Sequence, residues 1–71
     1  MKFYVRGKEY ETRLDTIKSC LVLSTDGKDV GDITRVGPTE LQLIGGRGYY
    51  RVNAGSIEAL ASKHYQDTTG I

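Results

Sequence analysis

The side chains best suited to molecular recognition lie around one glycine-rich loop, Gly45-Gly-Arg-Gly48, which joins two alternating segments. Tyrosine offers rigid apolar area with a polar tip, and arginine makes forked hydrogen bonds and stacks on rings. The segments and the loop supply both residue types, together with an aliphatic neighbour. The candidate partner-binding surface therefore consists of Gln42, Ile44, Arg47, Tyr49 and Arg51.

Two binding functions fit this surface. The leading expectation is a protein partner, with the chain acting as an adaptor, an inhibitor or an assembly subunit, because tyrosine and arginine are enriched at binding hot spots. The alternative is RNA or single-stranded DNA, with tyrosine stacking on a base and arginines holding phosphates. Arg6, Lys8 and Arg35 would assist in that case. A third interpretation is that the loop is simply a turn and Tyr49 covers a sheet edge.

Charge favours the protein partner. Ten Lys or Arg against nine Asp or Glu give a formal charge of +1. Domains that bind nucleic acid usually carry a clear basic excess. The same near-neutral balance argues against an anionic membrane surface. A patch on the outer face of one hairpin also suits self-association, so a homodimer is a further expectation.

The only histidine, His64, is the one side chain that suggests general acid–base chemistry. A general base needs an orienting carboxylate or a nucleophile beside it. Asp67 lies three residues further on, but such pairs are commonplace on helices. Interaction with the end of its helix is the expected role of His64. We therefore predict that the chain is not an enzyme and has no catalytic residues.

Neither the aspartates nor the cysteine predicts a metal or cofactor site. Asp26, Asp29 and Asp32 recur every third residue, whereas a calcium loop places its ligands every second residue. These aspartates flank a turn, where local hydrogen bonding favours them. Cys20 is the single cysteine, which excludes an internal disulfide and a cysteine zinc site. It lies in an apolar run and is expected in the core.

Alternating segments predict a β-rich domain with several tight turns. Asp26-Gly27 suits a type I′ hairpin turn, and Gly31 is a natural site for a β-bulge. Strands are expected over 2–6, 9–13, 19–24, 30–36, 40–44 and 49–53. The segment 10–18 is ambiguous, because its apolar residues have helical spacing whereas its threonines favour a strand. An irregular or short helical link over 14–18 is the favoured interpretation.

The hairpin around the glycine-rich loop has a specific predicted register. Its pairs are Ile44/Tyr49, Leu43/Tyr50, Gln42/Arg51, Leu41/Val52 and Glu40/Asn53. This register places the apolar pairs on one face of the sheet, as a half-buried sheet requires. The candidate surface then lies on the opposite face, in water.

A helix over about 56–65 is predicted to end the fold, with Ser56 as its N-cap and residues 67–71 as a polar tail. Ile57, Leu60, Ala61 and His64 would line one side of it. Residues 1–66 then form one small domain of mostly β (α+β) class: a strongly bent antiparallel sheet or a five-stranded barrel. In strand count and turn spacing it resembles the Src-homology-3-like and Sm-like small barrels.

The first hairpin offers a second candidate surface. Tyr4 and Tyr10 would be neighbours across it, with Arg6 and Lys8 near its tip, although half-buried edge tyrosines are more common. The start of the chain is too short and too soon charged for a signal peptide, and no apolar run is long enough to span a bilayer. A cytoplasmic setting is therefore expected.

Overall fold

The protein folds as a meander of six antiparallel strands followed by one helix. A computed structural model describes residues 1–45, 48–53 and 56–69, and of residues 48, 49 and 69 only the backbone. The elements are β1 (Lys2–Val5), β2 (Lys8–Asp15), β3 (Cys20–Thr25), β4 (Lys28–Gly37), β5 (Glu40–Gly45), β6 (Gly48–Val52) and α1 (Ile57–Thr69). Each strand pairs with its neighbours in sequence, and the sheet curls into a half-barrel. The predicted fold class, mostly β with one C-terminal helix, is confirmed.

The sheet has six strands, one for each predicted segment and one more than the five-stranded barrel that was the alternative, and β2 is longer than predicted. Leu14 pairs with Leu21 and Asp15 with Cys20, so the strand continues through most of the ambiguous segment. It ends where Asp15 Oδ1 accepts the backbone N–H groups of Ile17 and Lys18 at 3.0 and 3.1 Å. The helical spacing was misleading because Ile17 lies in the following turn and is 95% exposed.

The predicted turn and bulge are both present. Asp26 and Gly27 have positive φ angles of 55° and 74°, as a type I′ turn requires. Leu23 pairs with Gly31 but Ser24 pairs with Asp29, so Val30 is the extra residue of a bulge. A Cβ on Gly31 would lie 2.5 Å from the Ile44 carbonyl oxygen, which shows how closely β5 approaches there. The bulge and this close approach help the sheet to curl.

The core lies on the inner face of the half-barrel. Its buried residues are Tyr10, Leu23, Ile33, Leu41 and Leu43 from the sheet and Leu60 and Ala61 from α1. The strands β1 and β6 form the two edges of the sheet, and α1 packs chiefly against these two strands and β5. The helix therefore covers the gap that the sheet leaves open.

The helix begins as predicted but extends further. The Ser56 carbonyl accepts the N–H groups of Ala59 and Leu60, which places the start of α1 at Ile57. The helix continues to Thr69, so the first part of the predicted tail is helical. Thr68 Oγ1 donates to the His64 carbonyl at 3.0 Å, within the last turns. Asp67 is also tied to the sheet, since it accepts a hydrogen bond from Tyr50.

Neighbouring positions on β5 test the inside–outside assignment. Leu43 is 1% exposed and Ile44 is 50% exposed. We expect Leu43→Ala to lower the free energy of unfolding by about 2–5 kcal/mol, because it leaves a cavity in the core. Ile44→Ala, the matched control, should cost less than about 1 kcal/mol. Urea denaturation of both variants measures this, and equal losses would contradict the assignment.

Candidate functional site

The hairpin of β5 and β6 has the register that its sequence predicts. Leu41 pairs with Val52, Gln42 with Arg51, Leu43 with Tyr50 and Ile44 with Tyr49. Leu41 and Leu43 are buried in the core, and Tyr50 and Val52 pack against it. Alternation along the strands then turns Gln42, Ile44 and Arg51 to the opposite, outer face.

Three of the five candidate residues are described with their side chains, and they lie together. Ile44 is half exposed, Gln42 is half-buried, and Arg51 is exposed with its Nε 3.4 Å from Glu40 Oε2. Arg47 lies outside the described residues. Tyr49 is described only by its backbone, opposite Ile44. Gln42, Ile44 and Arg51 thus form the described part of the outer patch, and their role in binding stays a prediction.

The outer patch continues a row of residues across five strands. Arg13, Val22, Asp32, Ile44 and Tyr49 are successive cross-strand neighbours. Val22 is only 1% exposed although it does not face the core, so β3 is apolar on both faces, as predicted. Of the two aliphatic side chains in this row, Ile44 is the one that meets solvent.

Two ion pairs reach across β3 on the side of the sheet that carries Val22. The Arg13 guanidinium donates to both carboxylate oxygens of Asp29 at 2.8 and 2.9 Å, and Lys18 Nζ lies 3.4 Å from Asp32. The hydrogen bond from Arg13 holds the pKa of Asp29 below its ordinary value, and the pKa of Arg13 is raised in return. Arg13 and Asp32 are the cross-strand neighbours of Val22, and long charged side chains in such positions cover apolar surface with their aliphatic stems.

The three aspartates serve separate ion pairs. Besides the pairs of Asp29 and Asp32, Asp26 lies 3.6 Å from Lys8 Nζ. Within the described parts of the chain, no three His, Cys, Asp or Glu side chains are grouped so that they could hold a metal ion. Cys20 is half-buried rather than deep in the core, and it pairs with Asp15 near the end of β3.

The second candidate surface, on the first hairpin, is not formed. Phe3 pairs with Tyr10 and Tyr4 pairs with Glu9, so the two tyrosines point to opposite faces of the sheet. Tyr10 is 0% exposed and stacks on Phe3, whereas Tyr4 is exposed and bonds to Glu9. The prediction was wrong because the β1–β2 turn contains only two residues, Arg6 and Gly7. In the resulting register, Tyr10 pairs with Phe3 and not with Tyr4.

The structure instead joins Tyr10 to His64, which sequence reasoning had assigned to the helix end. The Tyr10 hydroxyl lies 2.9 Å from His64 Nδ1, and His64 is 8% exposed. The His64 ring meets the rings of Tyr10 and Tyr50 edge to face, with centroids 5.7 and 6.3 Å away. The signal that could have revealed this was the position of His64 on the apolar side of the predicted helix, which implied burial and a polar partner.

A second pair of contacts holds the end of α1. Tyr50 donates its hydroxyl hydrogen to Asp67, and the Arg6 guanidinium lies 5.9 Å from the centre of the Tyr65 ring. Arg6 has a positive φ of 50° in the β1–β2 turn, which is unusual for a residue other than glycine. The first hairpin and the C-terminal half of α1 are therefore connected by polar and aromatic contacts as well as by the core.

Fold and surface together define a small half-barrel protein with a helix over its open side and an exposed aliphatic residue on its outer face. Comparison with protein-family models, with curated proteins and with solved structures found no match to this chain. In the described residues, no helix has the length and apolar character that crossing a membrane requires.

The Arg13–Asp29 pair predicts a contribution to acid stability. Because the pKa of Asp29 is lower in the folded state, its contribution is complete above the ordinary value of 3.8 and is lost as pH falls below it. We expect Arg13→Met, which keeps an aliphatic stem over Val22, to lose less stability than the original protein between about pH 6 and pH 3. Parallel urea titrations at each pH measure this; identical losses would show that the ion pair contributes nothing.

Tyr10 predicts a loss of stability in alkali. Burial, followed by the charge of Asp26, raises its pKa above the ordinary 10.0. The folded state therefore holds the phenolic proton more tightly than the unfolded state does. The stability that this difference contributes is complete below pH 10.0 and is lost as the pH rises above that value. At neutral pH, Tyr10→Phe should cost about 1–3 kcal/mol, because it deprives His64 Nδ1 of its buried partner. The control Tyr4→Phe, at an exposed ring, should cost less than about 0.5 kcal/mol at neutral pH. Thermal unfolding at neutral and alkaline pH measures these effects.

Proposed function

We propose that this protein is a non-enzymatic binding module that contacts a protein partner through the outer patch of the 40–53 hairpin. The observation that carries the proposal is the half-exposed Ile44 on a strand whose alternate residues are locked in the core. A rigid strand holds such an aliphatic side chain ready for a partner with little loss of conformational entropy on binding.

The surroundings of Ile44 support the same proposal. Gln42 and the Glu40–Arg51 ion pair flank it with polar groups, while Asp32 is its neighbour on β4. An apolar centre with a polar rim is the usual anatomy of a protein–protein contact. Arg47 and Tyr49 would extend the patch along the loop.

The ion pairs favour a protein over a nucleic acid. In the described parts of the chain, each of five cations lies within 4.0 Å of a carboxylate: Lys2, Lys8, Arg13, Lys18 and Arg51. Arg35 donates to the Pro38 carbonyl. A phosphate backbone would have to compete with these partners, and the affinity of nucleic-acid binding comes largely from cations that can neutralise phosphates.

Matched charge substitutions test the proposed partner surface. We expect Ile44→Asp to abolish capture of the partner from a lysate of the source cells. Val36→Asp, at a β-branched residue that is 42% exposed on β4, should leave capture unchanged. Circular dichroism shows that both variants fold. The partner identified with the original protein is then bound in purified form, where the loss for Ile44→Asp should be at least about tenfold in affinity.

Two arms of this experiment address the other candidates. If nuclease treatment removes the captured material, and a fluorescent oligonucleotide binds with a steep dependence on salt, the surface binds nucleic acid and the proposal fails. If sedimentation shows a homodimer that Ile44→Asp dissociates, the partner is a second copy. We expect the module to work in the cytoplasm, where the free Cys20 stays reduced.

A further inference from the structure

The first strand of the sheet has a partner strand on one side only. In the part of the chain that the structure describes, β1 is an edge strand and pairs with β2 alone. We propose that β1 is a self-association site, where a second copy of this chain adds its own β1 antiparallel across a two-fold axis. This inference does not depend on the proposed function, which uses the hairpin at the opposite edge of the sheet.

The hydrogen bonds between β1 and β2 show which backbone groups of β1 are already used. The two-residue turn, with positive φ at both positions, is closed by a hydrogen-bonded pair, here Val5 with Lys8. At the other end of the strand, the Met1 carbonyl accepts from the Thr12 N–H at 2.8 Å, and the Met1 amino group donates to the Thr12 carbonyl at 3.0 Å. Bonding to β2 therefore falls on the odd-numbered residues of β1.

The even-numbered residues, Lys2 and Tyr4, direct their N–H and C=O groups away from β2, because the direction alternates along an antiparallel strand. Within the described ranges, no other group forms a hydrogen bond with these backbone atoms. On the inner side of β1, Phe3 and Val5 pack against the core, whereas Tyr4 is 64% exposed. Backbone groups are rarely buried without a partner, so these groups face water. Such a row of donors and acceptors is a template for an extended strand.

Alternation and charge favour a second copy of β1 in one particular register. Outward-pointing residues must lie opposite one another, so two β1 strands can pair about Lys2, Phe3 or Tyr4. Pairing about Phe3 places Lys2 opposite Tyr4 of the second copy, and backbone hydrogen bonds form at both positions. Pairing about Lys2 opposes two ammonium groups directly, which is destabilising. Pairing about Tyr4 places Lys2 opposite Arg6, with the same result.

The register about Phe3 also suits the side chains on both faces. On the inner face, the two Phe3 residues are neighbours at the axis, and the exposed Met1 gains an apolar cross-strand neighbour. On the outer face, Lys2 lies beside Tyr4 of the second copy, and its charge is balanced by Glu9 at 3.3 Å. A lysine on an edge strand opposes pairing chiefly where it meets a like charge, and here it meets none. Because β1 and β6 are opposite edges of the sheet, the outer patch of each copy stays uncovered.

Sedimentation velocity and isotope-filtered NMR test this inference on the whole chain. As the protein concentration rises to about 1 mM, which reaches weak complexes, the sedimentation coefficient should increase from that of a monomer towards that of a dimer. In an equal mixture of ¹³C-labelled and unlabelled protein, we expect an NOE between the Hα atoms of Phe3 in the two copies, because a non-hydrogen-bonded pair brings these atoms close together. A protein that stays monomeric, or a dimer without this NOE, overturns the inference.

Two substitutions of Tyr4 test the register by charge. Tyr4→Glu places a carboxylate opposite Lys2 of the second copy and should tighten the dimer, whereas Tyr4→Lys places a like charge there. Each pair occurs twice across the axis, so the two dissociation constants should differ by about threefold or more. Within one copy Tyr4 pairs with Glu9, so the stability of the monomer should change in the opposite order. Association is thereby separated from folding, and equal dissociation constants would refute the register.

Tyr4→Pro tests the backbone contact itself. It removes an N–H that faces water in a single copy, which an edge strand tolerates, so circular dichroism should show a folded monomer. The dimer should be abolished, whereas Tyr4→Thr, which keeps the N–H and favours a strand, should retain it. A dimer that survives Tyr4→Pro, or one that Ile44→Asp dissociates, contradicts the inference. If Tyr4→Pro does not fold, the two charge variants and the Phe3 NOE decide the outcome.

Discussion

A six-stranded sheet that curls but does not close must have its apolar inner face covered by something else. Here β1 and β6 remain edges, and one helix covers the gap between them. Leu60 and Ala61 of α1 pack into the core, and one turn further along the helix His64 forms a hydrogen bond with Tyr10 of β2. Because so small a domain has little core to spare, the rest of the fold depends on this single closure.

The two faces of the sheet are stabilised by different interactions, and this difference separates their roles. The inner face is held by burial against α1. The outer face carries ion pairs such as Arg13–Asp29, while Ile44 on the same face is in contact with water. A partner bound at Ile44 would therefore not need to disturb the core.

Local features of the chain were predictable where one residue type decides the geometry. The Asp26-Gly27 turn, the bulge beside Gly31 and the register of β5 with β6 all follow from positive φ, a missing Cβ or strict alternation. The extent of β2 was not predictable, because Tyr10, Leu14 and Ile17 fit a helical period as well as a strand followed by a turn. Cross-strand pairing with β3 settled that choice, and it involves residues distant in the chain.

The amino-acid sequence by itself determined the mostly β class, the terminal helix and the outward direction of Gln42, Ile44 and Arg51, because alternation and turn chemistry act over a few neighbouring residues. Only the tertiary structure decided that Tyr10 is buried and bonded to His64, since the two are 54 positions apart. It also decided which charges meet, because Arg13 and Asp29 approach across an intervening strand. Contacts of that kind depend on how the sheet curls and where the helix lies, and no local pattern encodes either.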